Sequence, residues 1–185
     1  MGELESVIEQ RLIDQLCGGD SQWTYRKDIR TEEQLWDNFK YILEQNNKAK
    51  LNDTPLSDSE FAKIKNDVSH ASFYDAGKWQ VGENGKVYVH VQRGNETLHL
   101  VVMNNEHIAG GTSVYEAFKT DEVDDKRDRR FDVTLLINGI PMIHIELKNK
   151  DHSYMDGYRQ IEKYISEGKF RGLFSNIQMF VVSNA

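Results

Sequence analysis

Apolar residues at Leu4, Val7, Ile8, Leu12 and Leu16 recur at helical spacing and stop at Gly18-Gly19, which predicts a helix over about 3–16. Thr31 followed by Gln34 has the form of a capping box, and Leu35, Trp36, Phe39, Ile42 and Leu43 mark one buried face of a second helix ending near Asn47. Ser57 with Glu60 repeats that start, with Phe61, Ile64 and Val68 behind it. This predicts a third helix ending before Phe73-Tyr74. The period then changes from helical to alternating. KVYVHVQ at 86–92 and ETLHLVVM at 96–103 read as strands joined by turn residues at Arg93-Gly94-Asn95. Residues 104–130, with Gly110-Gly111 and the run DEVDDKRDRR, carry no period that assigns an element. Strands at 131–137 and 140–148, a helix over about 152–166 and a last strand at 177–184 complete the pattern. A helix between the last two strands implies a right-handed parallel crossover, so the expected class is α/β with a mixed, mostly antiparallel sheet flanked by helices.

A chain of 185 residues supports one ordinary domain with a core, which makes 1–185 a single domain. It holds no apolar run of membrane length, and the lone Cys17 excludes an internal disulfide framework or a cysteine zinc cluster. The expectation is no membrane partner and a cytoplasmic location. A formal charge of −7 argues against nucleic-acid binding by bulk electrostatics alone, so any such site has to be local.

Candidate chemistry lies in FDVTLLINGIPMIHIELKNK at 131–150, where Asp132, Glu146 and Lys148 stand inside apolar sequence. Strand alternation puts Glu146 and Lys148 on one face. Whether Asp132 joins them depends on the hairpin. With a plain two-residue loop at Asn138-Gly139, Asp132 opposes Ile145 and the acids part. A three-residue loop over Ile137–Gly139 opposes Asp132 to His144 and brings the acids to one side. The expectation is therefore an odd loop or a bulge, with which Pro141 is compatible. Two carboxylates and a lysine suit Mg²⁺ and phosphodiester hydrolysis, with Lys148 serving the water or the phosphate. Acid-any-lysine also occurs at Asp124 to Lys126 and Glu167 to Lys169, so placement carries the weight; a solvated sheet face with a surface ion pair is the competing reading.

Asp132, then thirteen residues, then Glu146-Leu147-Lys148 resembles the PD-(D/E)XK nuclease signature, with Phe131 where many members have proline. RRFDVTLLINGIPMIHIELKN, LWDNFKYILEQNN at 35–47, LSDSEFAKI at 56–64 and QIEKY at 160–164 resemble the N-terminal nuclease domain of the restriction, or motor, subunit of type I restriction enzymes. The resemblance covers most of the chain. It implies a restriction-endonuclease-like core of order αβββαβ. It also implies Mg²⁺ held by Asp132, Glu146 and the Leu147 backbone carbonyl, with a helix-one glutamate, Glu9 or alternatively Glu5, beside them. Gln160 and Tyr164 match a Q-x-x-x-Y motif that positions the site and DNA, and they lie four apart on one helical face. Lys126, Arg127, Arg129, Arg130, Lys150 and Lys163 are candidate contacts to DNA phosphates. His144 is expected to serve the strand face first.

The chain has no GxxxxGK[ST] phosphate loop. The resemblance then implies a nuclease fragment of a longer subunit, whose ATP would be bound elsewhere. Duplex DNA and the methylation and specificity subunits are the implied partners. The alternatives are another PD-(D/E)XK nuclease, of repair or junction-resolving type, and a degenerate nuclease fold serving as a docking or DNA-binding module.

Overall fold

The computed structural model describes residues 5–104, 113–119 and 131–184. Helix α1 (Glu5–Leu16) is followed by a short strand β1 (Trp23–Tyr25), then by α2 (Glu32–Asn46), α3 (Asp58–Asp67) and α4 (Phe73–Val81). A hairpin of β2 (Lys86–Arg93) and β3 (Glu96–Asn104) comes next, then β4 (Tyr115–Phe118), β5 (Val133–Ile137) and β6 (Ile140–Lys148). Helix α5 (Tyr154–Ser166), a 3-10 turn at Gly172–Asn176 and β7 (Met179–Asn184) complete the order.

Both expected capping boxes form, Thr31 with Gln34 at the start of α2 and Ser57 with Glu60 at the start of α3. Each satisfies amide donors that a helix N-terminus would otherwise leave orphaned. The expectation of three opening helices is corrected by α4, which begins at the segment thought to end the helical region. Its buried positions are Ala76 and Gln80, and Gln80 is held by a bond from Nε2 to Asn176 O at 2.7 Å. A face made of alanine and a hydrogen-bonded glutamine leaves no apolar period to read. On α1, Ile8, Glu9 and Ile13 are buried whereas Val7 is exposed, so its inner face is rotated from the expected stripe.

The main sheet has the order β1-β4-β5-β6-β7, and β2-β3 forms a separate two-stranded sheet. β5 pairs antiparallel with β4 and β6, while β1 and β7 add parallel at the two edges. With the antiparallel hairpin counted, antiparallel pairings prevail among the described residues. β1 and β4 were not foreseen, being three and four residues long. The sheet is covered on both sides. Ile8 and Ile13 of α1 pack with Ala117, Val133, Leu135, Ile145 and Leu147 on one face. The larger core, with Phe39 of α2, Ile161 and Tyr164 of α5, Phe131, Phe170 and Phe174, fills the other. α5 makes the crossover between parallel strands β6 and β7. No helix among the described residues is long and apolar enough to cross a membrane.

Candidate active site

The hairpin that carries the candidate residues resolves the parity question by a bulge, one of the two expected ways. Its loop has two residues, since Ile137 pairs with Ile140, and the three-residue loop is not what forms. Asn138 and Gly139 take φ of 52° and 78°, the left-handed pair of a type I′ turn, in which asparagine-glycine is favoured. The parity is restored by a bulge. Leu136 pairs with Pro141 but Leu135 with Ile143, so Met142 is an extra residue on β6. Beyond it Thr134 pairs with His144 and Val133 with Ile145. Continuing that ladder sets Asp132 level with Glu146. Pro141 has no N–H to lose at the irregularity, and the Met142 carbonyl accepts from Gln178 N at 2.9 Å. The turn is tied down by Asn138, whose Oδ1 accepts from Val114 N at 2.8 Å while Nδ2 donates to Val102 O at 3.0 Å.

The consequence is a buried acidic pair at one end of the central strands. Asp132 is 6% exposed and Glu146 fully buried. The Leu147 amide donates to Asp132 Oδ2 at 2.7 Å, Lys148 Nζ to Glu146 Oε1 at 2.9 Å, and His144 Nε2 lies 3.3 Å from Glu146 Oε2. Burial and the Glu146 charge push the Asp132 carboxyl up to about 7; the Leu147 bond opposes this, Glu9 adds to it and Lys148 opposes it. Net negative charge is thus concentrated where water is scarce. Glu9 is 2% exposed, and Lys119 Nζ, at the end of β4, lies 3.4 Å from its Oε2. Asp132 therefore feels two glutamates, each with its own lysine.

α5 forms the wall of the site. Gly157 is its contact point: a Cβ there would stand 2.6 Å from Val182 Cγ1 and 3.5 Å from Cγ of both Glu146 and Lys148. Glycine is needed because the helix backbone lies against the strand. One turn on, Gln160 Nε2 donates to Tyr164 OH at 2.8 Å. Burial, then the Glu146 charge, raises the Tyr164 hydroxyl above its ordinary range. The Tyr164 ring meets Phe131 edge-on at 5.6 Å, and Phe131 stacks on Phe170 at 5.1 Å.

The structure thus brings together Asp132, Glu146, Lys148, Leu147, Glu9, Gln160 and Tyr164. It does not draw in Lys163, which extends to solvent with Glu167 Oε1 at 3.8 Å, and Lys150 is exposed in the turn after β6. Lys126, Arg127, Arg129 and Arg130, and the side chain of Glu5, lie outside the described residues. Sequence reasoning passed over Lys119, Gly157 and the direct contact of His144. Of these only Gly157, a glycine inside an amphipathic helix three residues before Gln160, left a readable trace.

No group of three or more His, Cys, Asp or Glu side chains forms a ready metal cluster among the described residues. A closed protein cage for zinc or calcium is not what these residues build. Two carboxylates that repel each other in a buried place do fit Mg²⁺, which keeps several waters and takes one or two carboxylates together with substrate phosphate.

A family model described as the type I restriction enzyme R protein N terminus matches residues 2–185. An endonuclease subunit of a type I restriction enzyme from Staphylococcus saprophyticus is 29% identical over 181 residues, covering 97% of this chain and 18% of that subunit. A second such subunit, from Staphylococcus aureus strain COL, is 29% identical over 182 residues, again 97% of this chain and 18% of the relative. The chain therefore spans under a fifth of the length of these curated relatives. With the match running across nearly its whole length, the chain belongs to the family of type I restriction enzyme R protein N-terminal regions.

Proposed function

We propose that this domain is a Mg²⁺-dependent endonuclease of PD-(D/E)XK type that hydrolyses phosphodiester bonds of duplex DNA. The observation that carries the reading is the Met142 bulge, which delivers Asp132 beside Glu146 and Lys148. The order α1, β4-β5-β6, α5, β7 supports the corresponding αβββαβ core, with β1 and the β2-β3 hairpin as additions.

Asp132 and Glu146 would hold the cation, with the Leu147 carbonyl and Glu9 as further oxygen donors. When bound, Mg²⁺ supplies charge neutralisation at the phosphate and acidifies a water. Asp132 is oriented for this by the Leu147 amide, which holds Oδ2. Lys148, which holds Glu146 Oε1 in the metal-free chain, would serve the attacking water or the phosphate, where its ammonium can orient the one or stabilise charge on the other. Gln160 orients the Tyr164 hydroxyl at the wall, and α5 keeps bulk water from the rear of the site.

In a full-length subunit we place this activity in a complex with methylation and specificity subunits, where an ATP-driven motor moves duplex DNA and the domain cuts it in the cytoplasm. The fully engaged Glu146 carboxylate favours one other reading, a degenerate nuclease fold that binds DNA without cutting it. The two separate in the full-length subunit assembled with its partners. Glu146→Gln or Lys148→Ala should lower DNA cleavage by about 100-fold or more while ATP hydrolysis and translocation persist. Wild-type protein that binds DNA and never cuts it with Mg²⁺ or Mn²⁺ would sink the nuclease reading.

A further inference from the structure

His144 is fully buried on the same strand face as Glu146, two residues before it. Its Nε2 lies 3.3 Å from Glu146 Oε2 and its Nδ1 3.5 Å from Thr134 Oγ1, the residue opposite it on β5. A carboxylate can only accept, so Nε2 carries the hydrogen. In the neutral ring Nδ1 is then the acceptor, and the Thr134 hydroxyl can fill that role as donor. Phe131, Phe170 and Phe180 surround the ring, with centroids at 5.1, 5.6 and 6.2 Å. The imidazole is enclosed by three aromatic rings, and a hydrogen on Nε2 suits both of its polar contacts.

We infer that His144 is a positioning residue that keeps Glu146 a one-oxygen ligand: its Nε2–H engages Oε2, so that Oε1, once Lys148 gives way, is the oxygen offered to a cation. The inference rests on the proposed metal site and adds selectivity to it. Mg²⁺ demands compact octahedral geometry, whereas Ca²⁺ readily takes both oxygens of one carboxylate. Blocking Oε2 therefore favours the smaller ion. Lys148 holds the other oxygen, Oε1, through a long side chain that reaches the surface and can give way, whereas the His144 ring is fully buried and fixed. Groups that orient metal ligands from outside typically change affinity by about 10–100-fold when removed.

The experiment is calorimetric titration of the chain with Mg²⁺ and with Ca²⁺, for wild type, His144→Leu and His144→Gln. Leucine keeps roughly the ring's volume without a donor, and glutamine places an N–H near Nε2. Circular dichroism checks that each variant is folded. Long-range ¹H–¹⁵N spectra of the cation-free wild type report the tautomer directly. The expected results are an Nε2–H tautomer and an approximately tenfold or greater fall in the Mg²⁺/Ca²⁺ affinity ratio in His144→Leu, largely restored in His144→Gln. A Nδ1–H tautomer overturns the inference. So does an unchanged ratio in His144→Leu while wild type still binds Mg²⁺, and the metal site survives that result. Should His144→Leu fail to fold, the ratio in His144→Gln decides, a value more than tenfold below wild type overturning the inference. Wild type that binds neither ion at millimolar concentration overturns the metal site and the inference together.

Discussion

The Leu147 amide donates to Asp132 Oδ2 at 2.7 Å across the β5-β6 pair, joining the carboxylate at the head of one strand to the residue between Glu146 and Lys148 on the next. That bond exists only because β6 carries one residue more than β5 between the turn and the site. The hairpin therefore sets the geometry of the acidic pair, and changes remote from the acids should reach them.

Gly139→Ala is the first such change. At φ of 78° an added Cβ would stand 2.9 Å from Phe39 Cα on α2. The left-handed backbone and the backbone clash should together cost about 1–3 kcal/mol of stability, read as a lower urea midpoint. An unchanged midpoint would show that the turn is not held as described.

The Asp132 carboxyl gives the metal-free chain a signed pH dependence. Its folded pKa of about 7 lies above the ordinary 3.8, so the stability it contributes is present in full below pH 3.8 and is lost as pH rises through 7. Asp132→Asn should accordingly stabilise the metal-free chain at pH 8 by about 2–4 kcal/mol and have little effect at pH 3.5. Thermal melts at both pH values check this. Equal effects at the two would contradict the raised carboxyl.

How far the sequence could be read follows from the kind of determinant involved. Alternation alone put Glu146 with Lys148, since side-chain direction along a strand is local. The helices with capping boxes and apolar stripes were legible for the same reason. The placement of Asp132 was legible only as conditional on an odd loop or a bulge, because register depends on the Met142 bulge and no residue type marks the site of a bulge uniquely. β4 escaped because one of its four residues is a buried acid, Glu116, whose carboxylate is paired with Arg26 and accepts from Asn38 Nδ2 at 2.7 Å. Pairing across three elements is invisible to a local pattern. Glu9 was likewise one helical glutamate among several until the fold buried it near Asp132.

Gly157→Ala should push α5 off β7, the strand beside β6. The added carbon would meet Val182 Cγ1 on β7 at 2.6 Å, so the helix must shift, and the stems of Glu146 and Lys148 lie in its contact shell at 3.5 Å. A stability loss of about 1–3 kcal/mol and weaker cation binding are expected together, measured by denaturation and calorimetry. Stability falling with cation affinity untouched would mean that the helix does not shape the site.

Glu9→Gln tests the second glutamate. Removing its charge relieves one of the repulsions on Asp132 and lowers that carboxyl toward its ordinary value, which carbon-detected NMR titration can follow. Mg²⁺ affinity should fall by roughly tenfold as a charged carboxylate donor is replaced by a neutral amide oxygen. Unaltered affinity would remove Glu9 from the site.

The central claim is that Asp132 and Glu146 together hold a divalent cation. Anomalous diffraction from crystals of the chain soaked in millimolar Mn²⁺ tests it most directly. The account predicts a peak between the two carboxylates, bonded to Glu146 through Oε1, with the Lys148 ammonium withdrawn from that oxygen. No peak there at saturating Mn²⁺, with Lys148 still on Glu146 Oε1, would contradict it.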